Sequence, residues 1–375
     1  MLYPVIGETI HGSYHYVSGP TLSRAGDLVA FRVGMRTGKE TESWWLQLNG
    51  ETMEKEDWIG EVAVSADGVH VAFWKQPGAK VTAEGPYSRS KQVLVVGTRR
   101  GDKWHFEESG KWEDASSLEP PLFSADGAVV ASRVSKGGSW FVLTLVGKKE
   151  TVIPKGGLTF LHDHALSPDG KRIAFSTGDG PITVPGAERR GRVVVGKEAF
   201  GAGYDDVGLP AFSLDSAHVV FKFLKGGRMG LAVDDERIPE GSCTFVHKPV
   251  FSPDGKQMAF VTNDGGEVEP GFRLVPTGEY SLEGGVDSLR TRRLGAASTT
   301  LVATHVQIRD PVFSEDGRLL AYRASDETSW RIRAGDAQTE AFDEVGPPRF
   351  SKDRKHVAFG ARSGRELWWR VLQLQ

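Results

Sequence analysis

The 375-residue sequence has a single cysteine, Cys243, so no disulfide can form within the chain. That usage fits a reducing compartment. Neither sign of charge is in excess: 46 Lys and Arg face 49 Asp and Glu, a formal net charge of −3. Such a balance gives no electrostatic basis for binding nucleic acid or an anionic membrane surface. No apolar run approaches the roughly 20 residues of a membrane-spanning helix. The opening MLYPVIGETIHGSYHY has neither the basic nor the apolar block of a signal peptide. The expectation is a cytoplasmic protein, or a periplasmic or secreted one if a leader has been removed. Long helical patterns with apolar residues at i, i+3, i+4 and i+7 are missing as well. Glycine, by contrast, is abundant (46 residues), and strand-length apolar runs recur between clusters of Gly, Pro, Asp and Ser. That is the texture of an all-β chain.

One short pattern recurs eight times: LSRAGDLVAF (22–31), VSADGVHVAF (64–73), FSADGAVVAS (123–132), LSPDGKRIAF (166–175), FSLDSAHVVF (212–221), FSPDGKQMAF (251–260), FSEDGRLLAY (313–322) and FSKDRKHVAF (350–359). Ser is present in all eight, at Ser23, Ser65, Ser124, Ser167, Ser213, Ser252, Ser314 and Ser351. Asp follows two residues later in seven, with Ala25 the exception, and Gly comes next in six, with Ser216 and Arg354 the exceptions. An aromatic closes the pattern in seven, Ser132 being the exception. Ser-x-Asp-Gly is turn chemistry, because Ser and Asp side chains bond to nearby backbone N–H groups and Gly accepts positive φ. The apolar residue before it ends one strand, and the apolar-Ala-aromatic run starts the next. Each copy therefore predicts a β-hairpin.

Two further columns fix the register. Six residues before each Ser stands an apolar residue: Val17, Ile59, Leu118, Leu161, Val207, Val246, Ile308 and Val345. Three before it stands Pro in six repeats: Pro20, Pro121, Pro210, Pro249, Pro311 and Pro348. Pro has no N–H to give a ladder, so it marks an edge strand or a bulge. The pattern resembles the WD40-like (PD40) repeat of TolB-type β-propellers, whose core reads F-S-P-D-G-K-x-[IV]-A-F. The resemblance covers nearly the whole chain. It implies one closed propeller over 1–375, with eight four-stranded blades, the motif joining the first and second strands of each. A seven-bladed ring with one degenerate motif is the alternative. Third strands are expected at 43–50, 91–101, 139–147, 191–200, 227–236, 329–336 and 366–375, with GFRLVPTGE (271–279) the candidate in the sixth repeat. Residues 2–10 are expected to supply the missing outer strand of the last blade and so to close the ring.

The Ser-to-Ser spacings are 42, 59, 43, 46, 39, 62 and 37 residues. The two long ones carry predicted insertions, about 76–91 and 109–121 in one and 263–300 in the other, the last with the basic run RTRR (290–293) read as a solvated loop.

No nucleophile elbow, P-loop, HExxH or CxxC motif is present. The ionisable residues that gather do so just before each first strand, where the resemblance places a channel mouth. Trp58, Glu119, His162, Asp163, Asp206, His247, Arg309, Asp310 and Glu344 are the candidate ligand-binding set, with Asp57, Asp205 and Asp343 slightly earlier. A divalent metal, if there is one, would be held by His162, His247 and Asp310. Trp44, Trp45, Trp140, Trp330, Trp368 and Trp369 fall on third strands, where packing between sheets is favoured over a binding platform. The reading is a non-catalytic, monomeric scaffold without cofactor that binds a protein or peptide through one face. The alternative is a small-molecule lactonase or lyase, metal-dependent, working in the channel mouth.

Overall fold

The computed structural model describes residues 5–6, 9–10, 12–24, 26–38, 42–79, 81–82, 85–86, 91–112, 115–178, 191–238, 243–265 and 284–374. No helix occurs among them, and every strand pairing is antiparallel. The chain forms two compact units that divide after Ile173.

The first unit opens with a small hairpin, Val5–Ile6 paired with Thr9–Ile10. Its first sheet is Tyr16–Val17 and Thr21–Leu22, then Val29–Arg36, Glu42–Leu48 and Glu51–Glu56. The second is Ala63–Val64, His70–Lys75, Gln92–Arg100 and Lys103–Trp112. The third is Ala115–Leu118 and Leu122–Phe123, then Val129–Lys136, Ser139–Val146 and Lys149–Leu158. The strand Leu161–Leu166 opens the fourth repeat. In the second unit Arg192–Val195 pairs with Glu198–Phe200. The fifth repeat is Asp206–Phe212, Val219–Lys225, Arg228–Val233 and Glu236–Arg237. The sixth is Phe245–Val246 and Val250–Phe251, then Gln257–Asp264, Val286–Arg293 and Thr300–His305. The seventh is Gln307–Phe313, Leu320–Ser325, Trp330–Ala334 and Ala337–Gln338. The eighth is Glu344–Val345 and Arg349–Phe350, then His356–Ser363 and Glu366–Gln373.

All eight Ser motifs make the same turn. The Ser hydroxyl donates to an Asp carboxylate at 2.5–2.7 Å. It accepts the N–H five residues on at 2.9–3.1 Å. In the first repeat Asp27, not the residue at 25, takes the carboxylate's place. The Ser hydroxyl holds the carboxyls of Asp126, Asp169, Asp254, Asp316 and Asp353 below the usual carboxylate range. The residue three after Ser has positive φ in every copy, including Ser216 (60°) and Arg354 (61°), the two without Gly.

First strands are interrupted where the Pro column falls. In the first, third, sixth and eighth repeats they split in two. In the fifth and seventh the register shifts, between Gly208 and Ala211 and between Arg309 and Val312. Leu209 (53°) and Asp310 (49°) adopt positive φ there. The apolar column is the inner anchor: Ile59, Val246 and Ile308 are fully buried, and Leu161, Val207 and Val345 nearly so.

Neighbouring sheets are tied by one recurrent contact. The residue after the motif's aromatic is Arg32, Arg133 or Arg323 in the first, third and seventh repeats. Each guanidinium lies over a third-strand Trp: Arg32 over Trp44 at 5.3 Å, Arg133 over Trp140 at 4.8 Å, Arg323 over Trp330 at 5.5 Å. Each also donates to a carbonyl of the next repeat's apolar column, at Ile59 (2.5 Å), Leu161 (2.9 Å) and Val345 (3.0 Å). Variants fill the other joints. Trp74 donates its indole N–H to Ser132 Oγ at 3.0 Å, which explains why Ser replaces the aromatic there. Lys222 lies 5.2 Å from the Phe245 ring. In the sixth repeat Asp287 accepts the Ile308 N–H at 2.8 Å and Arg309 at 2.7 Å, so here the cation comes from the following sheet.

Several expectations change. The segment 284–300 is not a loop: Val286–Arg293 is the sixth repeat's third strand, because its polar residues alternate with Leu289 across a buried ladder. GFRLVPTGE lies outside the described residues. The insertion at 109–121 is largely strand, ending Lys103–Trp112 and forming Ala115–Leu118. In the insertion at 76–91, Val81–Thr82 pairs with Gly85–Pro86. Of the expected closing strand, residues 2–4, 7 and 8 lie outside the described residues.

Two outcomes follow for denaturant midpoints. Ser252→Ala, at a fully buried position, is expected to lose about 1–3 kcal/mol, while Ser216→Gly relieves the left-handed backbone and gains about 0.5 kcal/mol. Arg133→Met is expected to cost about 3 kcal/mol, and Arg133→Lys to recover only part of it, because an ammonium cannot span the carbonyl, the carboxylate and the ring together. Equal stability of Arg133→Met and the parent would remove the contact from any structural role.

Candidate functional site

The polar residues at the first-strand interruptions are brought against neighbours rather than left as a free cluster. Glu119 accepts Arg133 Nη2 at 2.7 Å, and Arg133 also donates to the carbonyl of His162. Asp310 pairs with Arg323. Arg309 is held between Asp287 at 2.7 Å and the Nε2 of His247 at 3.4 Å. Asp57, Asp205 and Asp343 share another task. Each carboxylate accepts the N–H of a hairpin glycine, Gly78 (2.7 Å), Gly226 (2.6 Å) and Gly364 (2.6 Å), closing the turn after its repeat's second strand. Asp206 Oδ1 accepts its neighbour's N–H at Val207, 2.9 Å away. Trp58 is half-buried against the cluster that contains Trp74, Leu143 and Leu145.

The histidines lack the character of proton carriers. Burial, then Arg309 and Lys222, push His247 down to about 3. Burial and Arg133 push His164 down to about 4. Both rings are neutral near pH 7, and protonating either there costs the folded state heavily. His162 and Asp163 are themselves buried. Of the three proposed metal ligands, His162 belongs to the first unit, and His247 and Asp310 to the second. Around His247 the fixed charges are cationic, and Asp310 is already paired with Arg323, so neither environment suits a divalent cation. Among the described residues no group of three or more His, Cys, Asp or Glu side chains is placed to hold a metal. Cys243 is buried, and its thiol is pushed up to about 12, which makes it inert.

The eighth repeat carries a cleft of about 500 Å³, lined by Glu344, Gly346, Gly360, Arg362, Leu367, Trp368 and Trp369 among others. Arg362 donates to Glu344 at 3.2 Å. Leu367 is 80% and Trp369 84% exposed, unlike the half-buried Trp44, Trp140 and Trp330. The ladder position of those three tryptophans is taken here by Leu367, opposite Arg362, while Trp369 stands opposite Gly360. Arg32, Arg133, Arg323 and Asp287 were missed by motif reasoning. The first three stand in a column one place beyond the motif that was used, which was the available signal.

No protein-family model and no curated protein matches the chain. Solved structures do resemble it. A crystal structure of the eukaryotic initiation factor is 13% identical over 98% of this chain and 92% of that one, with a TM-score of 0.54. The β-propeller domain of the Trilobed protease from Pyrococcus furiosus is 11% identical over 97% and 98%, with a TM-score of 0.45. TolB from Acinetobacter baumannii is 12% identical over 92% and 79%, with a TM-score of 0.37. The likeness is one of fold alone, and structures described as β-propellers are among the neighbours of this all-β chain.

Proposed function

We propose that the chain is a non-catalytic propeller that serves as a scaffold for a protein or peptide partner. One observation carries this reading. The ionisable side chains that gather before the first strands are spent on tying sheets and turns together, as Glu119, Asp310, Arg309, Asp57, Asp205 and Asp343 show. What such a fold offers a ligand is then surface and loop rather than a reactive set. Metal analysis of protein purified without an affinity tag tests it. The expected result is no stoichiometric divalent ion. An ion retained by the parent and lost in both His162→Ala and His247→Ala would instead establish the metal-dependent lactonase or lyase reading.

The finer architecture belongs to the same proposal. We infer a monomeric ring of eight closed by residues 2–10, whose Val5–Ile6/Thr9–Ile10 hairpin opens to lie along the outer edge of Glu366–Gln373. Support comes from that strand's pairing, which among the described residues is to His356–Ser363 alone, and from the exposed Leu367, Trp369 and Val371. An uncovered apolar edge strand is an aggregation liability. Amide exchange of Glu366–Gln373 is expected to be slow in the full chain and at least tenfold faster once residues 1–11 are removed, because edge amides without a partner exchange freely. Equal exchange in both would exclude residues 2–10 as the closing strand.

A further inference from the structure

The run RTRR (290–293), which the scaffold reading leaves unused, is half inside the protein. Arg290, Thr291, Arg292 and Arg293 lie on the strand Val286–Arg293, and Arg292 is buried, its side chain only 1% exposed. The ladder shows which way it faces. Arg292 is opposite Met258 and Arg290 is opposite Phe260, and cross-strand partners project to one side of a sheet. Met258 and Phe260 pack in one cluster with Val220, Leu231 and Val233 of the fifth repeat. Both guanidiniums therefore enter the layer between the fifth and sixth sheets.

Their partners there are too few. Arg292 Nη2 reaches Glu236 Oε1 at 3.4 Å, a long contact to a carboxylate whose side chain is 66% exposed. Nε and Nη1 of Arg292, and Nε of Arg290, are buried with no hydrogen-bond partner. A buried guanidinium with silent N–H groups is among the costliest arrangements in a protein interior, and Nη1 together with Nη2, once Nη2 is released from Glu236, forms the end-on fork that fits an oxyanion. Arg32, Arg133 and Arg323 also have a buried Nε without a partner, but each has a carbonyl, a carboxylate and an indole in place; among the described residues an unpartnered buried Nη belongs to Arg292 alone.

We propose that Arg292, with Arg290 beside it, is the floor of a binding site for a small free oxyanion of the sulfate or phosphate type. The ion displaces the Glu236 carboxylate, which moves into solvent, and bonds to Nη1 and Nη2 of Arg292. Glu236 sits on a short edge strand, Glu236–Arg237, and is the side chain that meets the guanidinium from the solvent side. A site this deep, under one side chain, suits an ion better than a phosphate carried by a larger molecule.

Calorimetric titration and thermal unfolding of the full chain with inorganic sulfate, against chloride at equal ionic strength, test the proposal. The parent is expected to show a saturable rise in melting temperature at millimolar sulfate. Arg292→Met, which keeps the volume of a buried side chain without its charge, is expected to fold and to lose the response. Glu236→Gln removes the competing carboxylate from an exposed position and is expected to bind sulfate about tenfold more tightly, the scale of one like-charge contact. A linear rise of equal slope in parent, Arg292→Met and Glu236→Gln is a bulk salt effect and overturns the site. Should Arg292→Met fail to fold, Glu236→Gln still decides, since unchanged affinity there also overturns it. O-phosphoserine is expected to bind more weakly than sulfate; tighter binding would assign the site to a phosphorylated partner and overturn the free-ion reading.

Discussion

An edge strand has backbone groups that point away from its own ladder, and in this chain the first strand of each repeat is such an edge, broken further in six repeats by a Pro-marked interruption. Stacking one sheet on the next buries those carbonyls, and a buried carbonyl without a donor is costly. Arg32, Arg133 and Arg323 answer that constraint by reaching from one sheet to the apolar column of the next. A guanidinium suits the task because it serves a carbonyl, a carboxylate and an indole face at once. Much of the polar chemistry of the chain is organised around these joints. Glu119 and Asp310 neutralise the arginines, and Trp44, Trp140 and Trp330 bear their weight.

The same constraint shapes what the molecule can do. A carboxylate already bonded to arginine has fewer lone pairs to offer a ligand, and an imidazole kept neutral by burial and nearby cations is a poor proton carrier. Glu119, Asp310 and His247 are of these kinds. Perturbed ionisation often marks an active site, but structural ion-pair networks perturb ionisation as well. Here Arg32, Arg133 and Arg323 recur at one position of three repeats, each bonded to the backbone of the next.

The fold was legible in the sequence because its turns are local. Ser-x-Asp-Gly specifies a hairpin within six residues, so eight copies announced eight turns, and the Pro column announced the interruptions. The exceptions were legible only in structure: Ser216 and Arg354 take the glycine conformation, and Asp27 replaces the absent Asp from four places after Ser23. The strand Val286–Arg293 was hidden for a different reason. Its sequence, VDSLRTRR, has the charge of a loop, and only tertiary partners make Asp287 tolerable inside. Pattern reading assumes that charge faces water. Where a buried charge is part of the joint, that assumption inverts the answer.

The candidate site was the least legible part, and for the same cause. Polar residues gathered in columns before the first strands looked like ligands. What sequence could not supply was the pairing within the cluster, since Glu119 meets Arg133 and Asp310 meets Arg323 across 14 and 13 residues respectively. A column of charges near one end of repeated strands carries two meanings, a site or a seam. The distinguishing observation is whether opposite charges occupy adjacent columns. In the third and seventh repeats a carboxylate stands at the interruption and an arginine one place beyond the motif, so each sign finds the other as the hairpin closes and the pair becomes part of the seam.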